Sequence, residues 1–182
     1  METALVVIDV LQTYDFEDVE QLLPAAERAA PVIRRLVDEA RERGVLTIYV
    51  NDNFGDWAGD RAALLEKVLG GEHAHLVEPL APPEDALLLT KGRHSIFYET
   101  PLALLLRQRG IERLVLCGQV TEQCVLYSAL DAHVRELECV VARDACASID
   151  DGLAEAAFRM MERNMAAVVV DADDALDRAL QP

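Results

Sequence analysis

Short apolar runs alternate with longer amphipathic stretches along the chain, a pattern of strands separated by helices. The first run, residues 4–10 (ALVVIDV), is continuous rather than alternating, as in strands covered on both faces. After a polar loop, a helix is predicted from near Pro24 to about Arg43, with Gly44 as its stop. Residues 45–50 (VLTIYV) predict a second strand. Residues 51–59, rich in Asn, Asp and Gly, read as a loop. A helix over 60–69 is closed by Gly70 and Gly71, and residues 72–85, with three prolines, read as irregular. Strands follow at 86–90 (ALLLT), 113–118 (RLVLCG), 138–145 (ECVVARDA) and 166–170 (AAVVV), separated by helices at 100–109, 121–135 and 151–164, and a last helix closes the chain.

Strands joined by helices form parallel sheets with right-handed crossovers. The expected fold is a single α/β domain over residues 1–182. It has three α/β/α layers around a six-stranded, mostly parallel, doubly wound, Rossmann-like sheet. Ligands of such sheets bind at the carboxyl ends of the strands, so polar residues just after strands are the candidates for chemistry.

Composition narrows the class of partner. With 17 Lys and Arg against 33 Asp and Glu, the net charge is −16, which disfavours nucleic acid and anionic membrane surfaces. No apolar run approaches the roughly 18 residues of a membrane span. The four cysteines, Cys117, Cys124, Cys139 and Cys146, form no CxxC pair or zinc framework. The chain opens on a charged residue and a strand rather than a secretory leader, so reduced thiols in the cytoplasm are expected.

Three polar residues fall at strand ends. Asp9 closes the first strand among Val and Ile, Lys91 follows the third, and Cys124 lies in GQVTEQCV after the fourth. Taken singly, Asp9 reads as a capping or turn residue and Lys91 as a solvated exit. Cys124 falls in the first turn of a helix that Thr121 can cap. Amides and dipole there favour a thiolate and a developing oxyanion, which predicts a lowered thiol pKa. Cys117 and Cys139, inside strands, read as small buried hydrophobes, and Cys146 likewise. A thiol, a carboxylate and a cation on one sheet edge make a nucleophilic constellation.

With these residues in place, the chain resembles the isochorismatase-like hydrolases, which include nicotinamidases and N-carbamoylsarcosine amidases. The resemblance spans nearly the whole chain and rests on ALVVIDV, TKGRHSIFYETPL, LVLCGQVTEQCV and VVARDACAS. It implies Asp9 as base, Cys124 as nucleophile and Lys91 as the group holding the pair. It also implies a cis peptide at Gln119–Val120 and an oxyanion received by the N–H groups of Val120 and Cys124. The implied reaction cleaves the C–N bond of a small amide or carbamoyl compound through a thioester. A homo-oligomer, dimer or tetramer, is implied as well, and helices around Leu64 or Leu102 could face a neighbour.

Departures from the family bear on the substrate. The loop YVNDNFGDWAGD lacks the histidines by which nicotinamidases hold a metal, and Asp52 alone does not make a site of about four ligands. No metal or cofactor is therefore expected. His73 and His75 read as surface residues. Isochorismatases proper lack the cysteine present here. Leu11 stands where many members have Gln. Tyr14, Trp57, His94, Phe97 and Thr121 are read as substrate contacts. The competing readings are a non-catalytic binding or assembly protein on a retained fold, an isochorismatase or nicotinamidase type of enzyme, and a redox protein using Cys124.

Overall fold

A computed structural model describes residues 2–84 and 86–181. Its strands are β1 (Glu2–Ile8), β2 (Leu46–Asp52), β3 (Leu87–Lys91), β4 (Ile111–Gln119), β5 (Glu138–Ala147) and β6 (Val168–Val170). The helices are α1 (Val19–Glu42), α2 (Arg61–Leu69), α3 (Ala74–Val77), α4 (Leu102–Gln108), α5 (Leu126–Val134), α6 (Asp151–Met165) and α7 (Ala172–Leu180). The strands form one sheet in the order β3-β2-β1-β4-β5-β6, and all five pairings are parallel.

The continuous apolar run of β1 is explained by its two covered faces. Ala4, Val6 and Ile8 pack with residues of α4, α5 and α6, while Leu5 and Val7 pack with residues of α1, α2, α3 and α7. Every second residue of a strand points to the same face, so the two sets enter separate apolar layers. Among the described residues, no helix is long and apolar enough to cross a membrane.

Several predicted boundaries move. Strand β1 ends at Ile8 rather than Val10, because Asp9 turns into left-handed backbone at φ 54°. Helix α1 starts at Val19, five residues before Pro24, and carries both Pro24 and Pro31 inside it. A proline in a helix interior costs about 3 kcal/mol. Burial of Leu22, Ala25, Ala29, Ile33 and Leu36 along the same helix offsets that cost. The stretch predicted as irregular holds α3 and a 3-10 turn, Glu78–Leu80; Asp85 lies outside the described residues. Leu64 and Leu102 are buried in the core, while Leu69 and Leu104 on the same two helices are exposed.

The strand order reverses direction at β1, whose neighbours are β2 and β4. A crevice opens at such a switch point, at the carboxyl ends of the strands. Ile8 lies opposite Gly118 there, so Asp9 and the segment after Gly118 emerge side by side.

Candidate active site

The turn after β1 is braced from both neighbouring strands. The Asp9 N–H donates to Val50 O at 3.0 Å. Buried Asn51 accepts the Leu11 N–H and donates to Leu11 O, both at 2.9 Å. Gln119 donates to Asp9 O at 2.8 Å and accepts the Tyr14 hydroxyl at 3.3 Å. These bonds hold Asp9 in a conformation that residues other than glycine seldom adopt, and such positions cluster at functional sites.

The Asp9 carboxylate is nearly buried. One oxygen accepts the Asp52 N–H at 2.7 Å, and the other lies 2.8 Å from Lys91 Nζ. The Lys91 side chain is fully buried. Its ammonium also lies 3.7 Å from Cys124 Sγ and 3.9 Å from the Asp52 carboxylate. Strands β1 and β3 and the segment after β4 thus bring Asp9, Lys91 and Cys124 together.

Cys124 sits in a π-helical turn, Thr121–Val125, that opens the helical segment ahead of α5. The Gln119–Val120 peptide before it is cis. Thr121 does not cap this helix. Its hydroxyl donates instead to Ala147 O at 2.9 Å, buried against β5. Glu122 ties the same turn to the start of α6, accepting the N–H groups of Ile149 and Asp150 at 2.9 Å each.

The electrostatics correct one expectation. The Cys124 thiol is pushed up, not down, first by loss of solvent and then by the Asp9 carboxylate, against the pull of Lys91. The helix terminus does not outweigh a neighbouring negative charge in a dry site. Burial likewise raises the Asp9 carboxyl above its ordinary value, with Lys91 opposing. The carboxylates hold Lys91 protonated above its usual value despite its burial. The arrangement is a carboxyl of raised proton affinity beside a thiol of raised proton affinity. Burial also raises Cys117, Cys139 and Cys146, none of which lines this site.

The cluster opens into a cleft of about 370 Å³ lined by Asp9, Asp52, Gln119, Val120 and Cys124. Of the predicted substrate contacts, His94 lies in it, with Nδ1 3.9 Å from Cys124 Sγ and its ring edge-on to Tyr127. The other four do not line it. Tyr14 is buried behind Gln119, Phe97 lies in the core under the Arg135 guanidinium, and Thr121 is bonded to β5. Trp57 is 75% exposed and covers Gly92, where a Cβ would lie 2.7 Å from its ring. Leu11 is buried in the core, while the next residue, Gln12, lines the cleft. Gln12, Thr13, Phe16, Phe54, Gln123 and Ile149 were not singled out by the sequence; their only signal is that they follow strand ends or precede a helix. A larger groove, about 690 Å³, lies between the start of β4 and the α5–β5 turn, away from these groups.

Asp52 faces Lys91 and accepts the Phe54 N–H at 2.7 Å rather than meeting histidines. Among the described residues, no three His, Cys, Asp or Glu side chains are grouped to hold a metal ion. His75 is exposed, and His73 stands edge-on to Tyr14.

Fold and cluster together define a parallel α/β protein with a thiol, a carboxylate and an ammonium converging at its switch point. The chain belongs to the isochorismatase family, whose domain model matches residues 3–174. It is 29% identical to the isochorismatase family protein YaaI of Bacillus subtilis, over 97% of this chain and 98% of that one. It is 32% identical to the ureidoacrylate amidohydrolase RutB of Klebsiella pneumoniae, covering 79% of this chain and 72% of the relative. The crystal structure of N-carbamoylsarcosine amidase from Thermoplasma acidophilum superposes with a TM-score of 0.74 at 26% identity, covering 95% and 98% of the two chains.

Proposed function

We propose that this protein is a hydrolase that cleaves the C–N bond of a small amide or carbamoyl compound through a thioester on Cys124. The observation that carries the reading is the Asp9–Lys91–Cys124 cluster, with contacts of 2.8 and 3.7 Å, at the floor of an open cleft. Two relatives named for amide or carbamoyl substrates support the bond class.

Asp9 takes the thiol proton as Cys124 Sγ attacks the carbonyl carbon. A carboxylate whose proton affinity is raised by burial is suited to that step. The Val120 backbone already lowers the cost of charge on the sulfur. With the Cys124 N–H in the first helical turn, it receives the oxyanion of the tetrahedral intermediate. Collapse breaks the C–N bond, and the leaving amine takes the proton from Asp9. Water, giving its proton to Asp9, attacks the thioester, releases the acid and restores the thiol. Lys91 stays protonated throughout and holds the carboxylate in line.

The test is ammonia release from a panel of small primary amides and N-carbamoyl compounds, with Cys124→Ala alongside. Turnover is expected for the native protein and loss in the variant; equal turnover by both sinks the reading. The pH profile carries a second expectation. Asp9 must be ionised to act, and its pKa is raised above 3.8. Activity should therefore fall as pH drops through a midpoint above the ordinary carboxylate range. An acid limb in kcat/KM at or below 3.8 contradicts Asp9 as the base.

The same reading takes residues 1–182 as one domain of a cytoplasmic homo-oligomer. The apolar stripe Tyr127, Leu130 and Val134 on the exposed side of α5 supports association.

A further inference from the structure

We propose that the cleft selects neutral or cationic amides against anionic ones, with Asp15 and Asp18 at its mouth setting the preference. This deepens the proposed function and rests on it for the location of the reacting carbonyl. The cleft is lined by four carboxylates, Asp9, Asp15, Asp18 and Asp52. Among the described residues no lysine or arginine lines it.

The nearest ammonium cannot serve as an anion contact. Lys91 has no exposed side-chain surface, and Asp9, Asp52 and Cys124 already surround it. Turning it toward a substrate carboxylate would leave Asp9 buried without its charged partner, which is strongly destabilising. Arg93, its neighbour in sequence, is exposed and does not line the cleft.

One remaining wall suits a positive group. Phe16 lines the cleft as an aromatic surface, and ring faces attract cations; the Phe54 ring already holds the Lys67 ammonium 4.8 Å from its centroid, and Lys67 itself does not line the cleft. Asp15 and Asp18 are exposed, so they stay hydrated and act through the field at the entrance rather than by desolvated contact. Asp18 makes no side-chain capping bond to α1, which leaves its carboxylate free of a structural duty in that helix. His94 lies beside the sulfur, at the reacting end and not at the mouth.

The charge preference can be read without knowing the substrate. Methanethiosulfonates transfer a thio group to a thiolate with loss of methanesulfinate. The probes are the neutral methyl, the cationic trimethylammonioethyl and the anionic sulfonatoethyl reagents. Their rates at Cys124 are mapped by mass spectrometry and normalised to the rates with 2-mercaptoethanol. At low ionic strength the cationic reagent is expected to be favoured over the anionic one by about tenfold.

The ratio should fall by about threefold or more in Asp15→Asn/Asp18→Asn. It should stay unchanged in Asp173→Asn/Asp174→Asn, on exposed positions of α7, which removes the same net charge from elsewhere. A ratio at or below one, or an equal fall in both double variants, overturns the inference and leaves the nucleophile untouched. Failure of Cys124 to react even with the neutral reagent overturns both the inference and the proposed function.

Discussion

Asp9→Asn is expected to slow amide hydrolysis by about 10²–10⁴-fold, yet to speed iodoacetamide alkylation of Cys124 at neutral pH. The two effects have opposite signs because the carboxylate does two things to the sulfur. As a base it accepts the proton that the attack must shed and returns it to the leaving amine. As a charge it is among the causes that push the thiol up, second only to desolvation. Asparagine ends both roles. Lys91 then stands 3.7 Å from the sulfur with less competition for its field, so the thiolate becomes easier to form. The change leaves buried Lys91 without its partner at 2.8 Å, so a lower melting temperature is expected, while an amide oxygen can still accept the Asp52 N–H and Asp52 remains 3.9 Å from Lys91. Alkylation mapped by mass spectrometry, beside ammonia release and a circular dichroism melt, reads all three. Unchanged hydrolysis, or slower alkylation in a folded variant, contradicts the role given to Asp9.

Gly118→Ala is expected to remove most of the folding stability, by more than about 4 kcal/mol. Gly118 has φ 121° and faces Ile8 across the central β1–β4 pair. A Cβ there would lie 2.0 Å from Ile8 O and 2.7 Å from Ile8 N. Both atoms are backbone inside the sheet, and no side-chain rotation can relieve the contact. Relief requires β1 and β4 to separate, which also parts Asp9 from the turn carrying Cys124. Urea denaturation of the purified variant measures the cost. A loss below about 1 kcal/mol would show that the sheet accommodates a methyl group and that the close approach is not a constraint.

Much of this fold was legible because its strands are covered on both faces and therefore read as unbroken apolar runs, with helices between them. Helix α1 was misjudged at its start because Pro24 looks like a first-turn residue. Its place inside the helix is decided by tertiary burial of Leu22 and Ala25, which no local rule weighs. Asp9, Lys91 and Cys124 could be found because each closes or follows a strand, and the switch point brings strand ends together. The thiol's direction could not be read from the helix terminus alone, since it depends first on burial and then on a carboxylate more than a hundred residues away in sequence. The cleft walls stayed hidden for a similar reason. Gln12 and Phe16 lie in a loop held by Asn51 and Gln119 bonding across strands, and Phe54 in one held by the Asp52 and Asn53 side chains. Tyr14 and Trp57 drew notice as loop aromatics, but one is turned into the core and the other lies over Gly92.

The central claim is covalent catalysis by Cys124, and rapid acid quenching with mass spectrometry tests it most directly. Native protein mixed with an amide it hydrolyses should gain the mass of the acyl group, mapped to Cys124, and lose it as product forms; Cys124→Ala should gain nothing. Turnover that persists in Cys124→Ala, or an acyl group found on another residue, would contradict it.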